Sequence, residues 1–219
     1  MRIIIFMIFI FCYFFSNSQS NQETGTWSII QLKVKTKNKW SYFMEGQVRS
    51  LAMYDRFHYW ELKGGFHFKA NSTLTISLGF GKYNTYNGED NFDKPLKADE
   101  WRLWPQITLN NQFNHLKLEH RYRLEERYFS NGNVKHRFRY RLHLQYPLNK
   151  KEDWAVHGSS EIFFSPYEPY FERLRLCSGL IYKAGKSLQL QCNYMRQLDY
   201  KIFDEFGKSF IQTAAIIQL

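Results

Sequence analysis

Apolar and charged residues alternate along two neighbouring segments in the middle of the chain. From 116 to 127 the even positions are mostly apolar or aromatic, and every odd position is charged. After Ser130-Asn131-Gly132 the alternation returns, with basic residues at the odd positions from 135 to 143. A period of two is typical of a β-strand, whose successive side chains point to opposite faces. The pattern therefore predicts a hairpin with one apolar face and one densely charged face.

Segments with this period recur along the chain and predict a series of antiparallel hairpins. The candidate strands cover residues 25–35, 39–50, 57–69, 73–84, 99–109, 115–128, 134–146, 153–164, 172–183, 187–199 and 208–219. Most are close to the length of about 9–11 residues with which a tilted strand crosses a bilayer. Bacterial single-chain membrane barrels have an even number of strands. We therefore expect ten or twelve strands in place of the eleven that the pattern marks.

The connections between the candidate strands alternate in length. Counting back from Leu219, short turns alternate with longer connections, of which the longest covers residues 85–98. Membrane barrels have short turns on the periplasmic side and longer loops outside. The order of the connections therefore indicates a barrel whose C-terminus lies in the periplasm.

The alternation alone does not say which face points inward, since a soluble barrel would line its cavity with the apolar face. Aromatic residues near the strand ends favour a membrane barrel, in which they form interfacial girdles. These residues are Trp40, Trp60, Trp101, Tyr122, Tyr128, Tyr146 and Trp154. A three-residue loop at 130–132 would also place Glu125 opposite Arg137 and Glu119 opposite His143, and such pairs stabilise a sheet by roughly 0.2–1 kcal/mol each. We therefore predict an all-β fold, an antiparallel up-and-down transmembrane β-barrel of 10–12 strands.

The N-terminus has the pattern of a secretory signal peptide. Arg2 precedes an apolar run over residues 3–15, and Ser16-Asn17-Ser18 supplies small residues for cleavage. The run is shorter than the roughly 20 residues of a transmembrane helix. We expect residues 1–18 to be removed, and residues 19–219 to form a single barrel domain in the outer membrane of a Gram-negative cell.

The inward face of this barrel would be basic. The charge ladder of the central hairpin consists of Lys117, Glu119, Arg121, Arg123, Glu125, Arg127, Lys135, Arg137, Arg139 and Arg141. Further charged residues on other strands are Glu45, Arg49, Glu61, Lys63, Glu100, Arg102, Glu161, Arg173 and Arg175. The mixed signs favour a structural barrel closed by salt bridges, and the arginine excess suits a narrow, porin-like, anion-permeable channel.

The formal net charge of +10 at pH 7 bears on the partners. A basic protein attracts nucleic acid, anionic lipid headgroups or anionic solutes. Export makes nucleic acid the least suitable of these, so no nucleic-acid partner is expected. We expect outer-membrane lipid and small anionic solutes as partners.

Two cysteines remain after the signal segment, Cys177 and Cys192. The apolar face lies on even positions in both of their strands, so the two side chains should point to opposite faces. Two cysteines whose Cβ atoms point to opposite faces of a sheet cannot form a disulfide. We expect two unpaired thiols.

The chain offers little for catalysis. His157, Ser159 and Glu161 share one strand face, but successive members of such a row lie about 7 Å apart, too far for a proton relay. Ser130 has Tyr128 where an activating histidine would be needed, and Asn-Gly is a common turn dipeptide. The cysteines and histidines show no metal-ligand spacing. We expect no enzyme activity, no metal and no cofactor; an outer-leaflet lipid-modifying enzyme of the acyl hydrolase type is the alternative, followed by a soluble periplasmic ligand-binding barrel.

The chain resembles a known family, most closely over the central hairpin. The similarity rests on the run Glu119-His120-Arg121-Tyr122-Arg123-Leu124-Glu125-Glu126-Arg127, the run Arg137-Phe138-Arg139-Tyr140-Arg141-Leu142 and an early Trp strand. It points to the domain-of-unknown-function 2490 family, whose members are regarded as outer-membrane barrels of Bacteroidetes-type bacteria. The resemblance implies a fold and a location, and it implies no catalytic residues.

Overall fold

The computed structural model describes residues 23–201 and 204–219, and every regular element in these ranges is a β-strand. The strands are β1 (Gly25–Lys35), β2 (Trp40–Ala52), β3 (Asp55–Lys69), β4 (Leu74–Thr85), β5 (Ala98–Phe113), β6 (Leu116–Phe129), β7 (Val134–Pro147), β8 (Trp154–Phe164), β9 (Phe171–Ala184), β10 (Leu188–Lys201) and β11 (Asp204–Gln218). Within the described ranges, no helix is long and apolar enough to span a membrane. The predicted signal segment, residues 1–18, lies outside the described residues.

The strands form one closed barrel, in which each strand pairs with its sequence neighbours in antiparallel orientation. The barrel closes between β1 and β11, which are parallel, with Gly25 opposite Phe210 and Lys33 opposite Gln218. The expectation of an even strand number is wrong for the described residues, which form eleven strands. With an odd number, the first and last strands of an up-and-down series run in the same direction, and a parallel ladder therefore closes the sheet.

The register of the central hairpin agrees with the prediction from its three-residue turn. Glu125 pairs with Arg137, and Glu119 pairs with His143. The turn itself has Gly132 at a positive φ of 84°, a backbone conformation that glycine adopts without strain. Phe129 and Asn133 close the turn through a backbone hydrogen bond. Ser130 is thus part of a turn, as the Asn-Gly dipeptide predicts.

The outer surface is an apolar belt between two rings of aromatic residues. Its exposed aliphatic side chains include Ile30, Met44, Leu62, Ile76, Leu103, Ile107, Leu124, Leu180 and Leu190. Exposed aromatic side chains at the barrel end where β11 terminates include Trp40, Tyr146 and Trp154, and those at the end with the connection 86–97 include Trp101 and Tyr128. This is the arrangement of a barrel surrounded by lipid, and it is opposite to that of a soluble barrel, whose apolar face lines the cavity.

The interior contains the charged ladders together with a few large rings. The indole of Trp104 is 1% exposed and lies against Gly79 on the neighbouring strand, where an added Cβ would come within 2.4 Å of the ring. A smaller apolar cluster joins Trp27, Met195 and Phe210 inside the barrel. The glycine in β4 therefore makes room for an inward aromatic side chain on β5.

The two cysteines of the described residues are both free and face opposite sides of the wall. Cys177 is buried inside the barrel and Cys192 is exposed. The unpaired state predicted from strand parity is confirmed.

Candidate functional site

A cavity of about 1180 Å³ runs through the barrel and is lined by residues from all eleven strands. At the barrel end where β11 terminates its wall includes Lys69 and Thr75, and at the other end it includes Asn87 and Lys97. The cavity therefore extends between the two ends of the strands.

The described lining carries a large excess of positive charge. Sixteen Lys and Arg residues line the cavity, compared with seven Asp and Glu residues. An eighth carboxylate, that of Glu125, is completely buried behind the arginines and is not part of the lining. The groups that face the cavity are therefore mainly guanidinium and ammonium groups.

Glu125 on β6 is the centre of one ion-pair cluster. Its Oε2 accepts a hydrogen bond of 2.5 Å from Nη2 of Arg137, and its Oε1 accepts one of 2.5 Å from Nη1 of Arg139. Nη1 of Arg123 lies 3.6 Å from the same carboxylate, and that arginine donates two further hydrogen bonds to Gln106. A buried carboxylate needs such compensation, because desolvation of an unpaired charge is costly.

Glu161 on β8 is the centre of a second cluster. Its Oε1 lies 2.5 Å from Nη2 of Arg121 and 2.7 Å from Nη2 of Arg139, and its Oε2 lies 3.8 Å from Nη1 of Arg175. Arg139 thus joins the two clusters by contacting both Glu125 and Glu161. One carboxylate shared by three arginines leaves the local charge positive.

Further ion pairs lie on the other strands. Glu100 on β5 binds Arg102 at 2.6 Å and Arg127 at 2.7 Å. On β2 and β3, Lys63 joins Glu45 and Glu61 at 2.6 and 2.5 Å. Strand β10 contributes uncharged amides to the lining, at Gln189, Gln191 and Gln197. The strongest positive potential should therefore arise along β5–β9.

Inward aromatic rings support several of the arginines. Four guanidinium carbons lie 4.5–5.6 Å from the ring centroid of the fully buried Phe163. They belong to Arg137, Arg139, Arg173 and Arg175. Cation–π contacts hold such side chains against the wall. The alternation of charge and apolarity did not identify these rings, because it assigns aromatic residues to the lipid face.

Most of the predicted charge ladder lies in the lumen, and its two ends lie at the rims. Glu119 and Arg141 form an ion pair with a distance of 2.5 Å toward the barrel end where β11 terminates. Lys117 reaches out of the barrel to Glu152, which lies in the turn before β8, and this hydrogen bond lowers the pKa of the Glu152 carboxyl. Lys135 is exposed at the other rim, 5.9 Å from the ring centroid of Phe129.

The three residues considered for catalysis have separate partners. Nδ1 of His157 forms a hydrogen bond of 3.2 Å with Nε2 of His143, and its Nε2 forms one of 2.7 Å with Oδ1 of Asn193. Ser159 lies directly opposite Cys177 on β9, and Glu161 binds the arginines described above. The row therefore does not assemble into a relay. No group of three or more potential metal ligands occurs among the described residues.

Comparisons with known proteins find similarity to a family model and to solved structures, two of which are porins. A family model described as "Protein of unknown function (DUF2490)" matches residues 24–204. A crystal structure of a NanC porin is 12% identical, with a TM-score of 0.50 over 78% of this chain and 84% of that chain. An anion-selective porin from Comamonas acidovorans is 10% identical, with a TM-score of 0.41 over 83% of this chain and 54% of that chain. No curated protein sequence matches this chain.

Proposed function

The chain belongs to the DUF2490 family of proteins of unknown function, and we propose that it is an outer-membrane channel through which small anions pass. The observation that carries this proposal is the cavity of about 1180 Å³, whose described lining has sixteen basic and seven acidic residues. A wall with one predominant sign of charge concentrates counter-ions within a narrow, low-dielectric passage. The solutes that best fit this passage are small anions.

The positions of the acidic residues favour an open channel over a structural barrel closed by salt bridges. Glu125 is buried behind Arg137 and Arg139, so it neutralises charge without crossing the lumen. Most ion pairs described above join neighbouring or next-but-one strands, for example Arg121 on β6 with Glu161 on β8. Pairs of this kind hold arginines along the wall. A barrel of eleven strands is wider than the eight-stranded barrels whose interiors side chains fill.

The outer face supports an outer-membrane location with lipid as the direct partner. The apolar belt and its two aromatic rings match the hydrocarbon layer and its interfaces. Export through a signal peptide at residues 1–18 is part of the same proposal. Cell fractionation tests it, and the protein should be found with the outer membrane.

Single-channel recording in planar lipid bilayers tests the channel. With a potassium chloride gradient across the bilayer, the reversal potential should show that chloride is more permeant than potassium. Absence of conductance steps would contradict the proposal and would support a structural barrel closed by its ion pairs. A cation-selective current would contradict it as well.

A matched pair of variants tests whether the charges inside the barrel determine the ion selectivity of the current. Arg121→Gln removes one inward charge and leaves Glu161 bound to Arg139. Selectivity for chloride should fall in this variant, because the fixed charge of the passage is lower. Arg196→Gln removes the same charge from the outer face, where Arg196 donates to Ser209, and selectivity should be unchanged.

A further inference from the structure

Two arginines from distant strands contact the indole ring of Trp27 inside the barrel. Cζ of Arg49, on β2, lies 3.5 Å from a ring centroid of Trp27, and Cζ of Arg175, on β9, lies 5.0 Å from it. Both arginines line the cavity, although they are only 8% and 7% exposed. The lumen therefore has a place where two guanidinium groups lie at one aromatic ring.

The guanidinium of Arg175 has unused hydrogen-bond donors. Its Nε donates to Gln197 at 2.9 Å. Its nearest carboxylate oxygen, Oε2 of Glu161, lies 3.8 Å from Nη1, beyond hydrogen-bond distance, while Oε1 of that carboxylate accepts hydrogen bonds from Arg121 and Arg139. Across the described part of the chain, Nη1 and Nη2 of Arg175 have no hydrogen-bond acceptor.

Arg49 is also incompletely compensated. Its Nη2 donates to Gln47 and Glu61, each at 3.2 Å. Its Nε is buried and has no hydrogen-bond partner among the residues that the structure describes. A buried donor without an acceptor is unfavourable, so this part of the wall contains a guanidinium group whose hydrogen bonding is incomplete.

Further positive charge surrounds Arg175. Arg173, Arg49 and Arg139 act on it as like charges, and Glu161 acts on it as an opposite charge. Arg173 is itself paired with Asp199. The remaining charge is positive and lies in a place shielded from bulk water.

We propose that Arg175 is the centre of a binding site for a small oxyanion, a carboxylate or a phosphate, in the lumen. The two terminal nitrogens of a guanidinium present parallel donors that match two oxygens of such an anion. Arg49 and Arg173 supply the surrounding field. The site deepens the proposed channel function, on which it rests for access from solution, because it is the position where a permeating anion pauses.

Phosphorus NMR of inorganic phosphate with the folded barrel in detergent tests the binding site directly. The phosphate signal should broaden in a saturable manner with the unaltered protein. Arg175→Gln should weaken binding about tenfold or more, since it removes hydrogen bonds to a charged group. Arg196→Gln, on the outer face, should bind phosphate as the unaltered protein does. Equal affinity in Arg175→Gln, or no saturable broadening with the unaltered protein, would overturn the inference.

Arg175→Lys supplies a second variant in case the glutamine variant does not fold. It keeps the charge and removes the planar pair of donors, so phosphate affinity should fall to an intermediate value. An affinity equal to that of the unaltered protein would contradict the bidentate site.

Channel recording separates this inference from the proposed function. With chloride as the main ion, added phosphate should reduce the current, and Arg175→Gln should relieve that block. Saturable phosphate binding without any chloride current would retain the site and overturn the channel. An anion-selective current that phosphate leaves unchanged would retain the channel and overturn the site.

Discussion

Glu125 and Arg137 lie directly opposite each other on β6 and β7, and Oε2 of Glu125 accepts two hydrogen bonds from Arg137. These bonds come from Nε at 2.9 Å and Nη2 at 2.5 Å. The carboxylate also binds Arg139, so one buried acid holds two adjacent members of the charge ladder. The strand register and the neutralisation of the lumen wall thus depend on the same residue.

Replacement of Glu125 by glutamine should destabilise the barrel by about 3–5 kcal/mol, the usual cost of removing one partner of a buried ion pair. The variant keeps the shape of the side chain and removes the charge that compensates Arg137 and Arg139. The urea concentration at which the unboiled protein loses its folded gel migration measures the effect.

Glu152→Gln is the matched control for that experiment. Glu152 forms its pair with Lys117 at the rim, where both side chains are about 40% exposed. Exposed pairs contribute little to stability, so the urea midpoint should stay close to that of the unaltered protein. Equal loss in both variants would contradict the central role of Glu125.

Gly79→Ala should destabilise the barrel by about 1–3 kcal/mol through overpacking. The added methyl group would come within 2.4 Å of the Trp104 ring, which is almost fully buried. Gly46→Ala is the control, because no atom beyond the adjacent residues of the chain lies within 4 Å of its added Cβ. Thermal unfolding followed by circular dichroism compares them, and an unchanged midpoint for Gly79→Ala would show that the ring moves freely.

An arginine placed on the lipid face tests which surface meets the membrane. Leu62 lies at the middle of β3 and is 49% exposed on the outside. Leu62→Arg should cost about 2–4 kcal/mol in a bilayer, as charged residues do at the midplane of such barrels. Met53→Arg, in the turn between β2 and β3, should be tolerated. Urea unfolding in lipid vesicles measures both, and tolerance at Leu62 would place the apolar belt outside the membrane.

Oxidation should not join Cys177 to Cys192, because their side chains lie on opposite faces of the wall. The intact mass after treatment with diamide should show no loss of two hydrogens. Ile181→Cys combined with Gln191→Cys, in a background without the natural cysteines, is the positive control, since these positions pair across β9 and β10. A disulfide in the unaltered protein would contradict the observed wall.

Much of the fold follows from local pattern. The alternation from Leu116 to Arg127 predicts β6 and the side that each residue faces, and the three-residue turn at 130–132 sets the register with β7. The parity of Cys177 and Cys192 predicts that they stay apart. These predictions succeed because side-chain direction in a strand depends only on position along the chain.

The interior of the lumen is less accessible to such reasoning. Trp27, Trp104 and Phe163 resemble interfacial aromatics by residue type, yet they lie inside and support arginines. Glu161 looks like a neighbour of His157 along β8, and it instead binds arginines on β6 and β7. The spacing of residues in the sequence predicts neighbours along one strand, whereas these contacts join side chains on different strands.

The sequence by itself therefore determined the strands, their two faces and the charge of the inner one, since each depends on residues close together in the chain. Only the tertiary structure decided how the sheet closes, with parallel β1 and β11, and which charges remain uncompensated. Arg49 and Arg175 meet at Trp27 because the closed barrel brings the first and the late strands together. Barrel closure and the pairing of inward charges depend on contacts between residues far apart in sequence, and the period of a single strand does not encode such contacts.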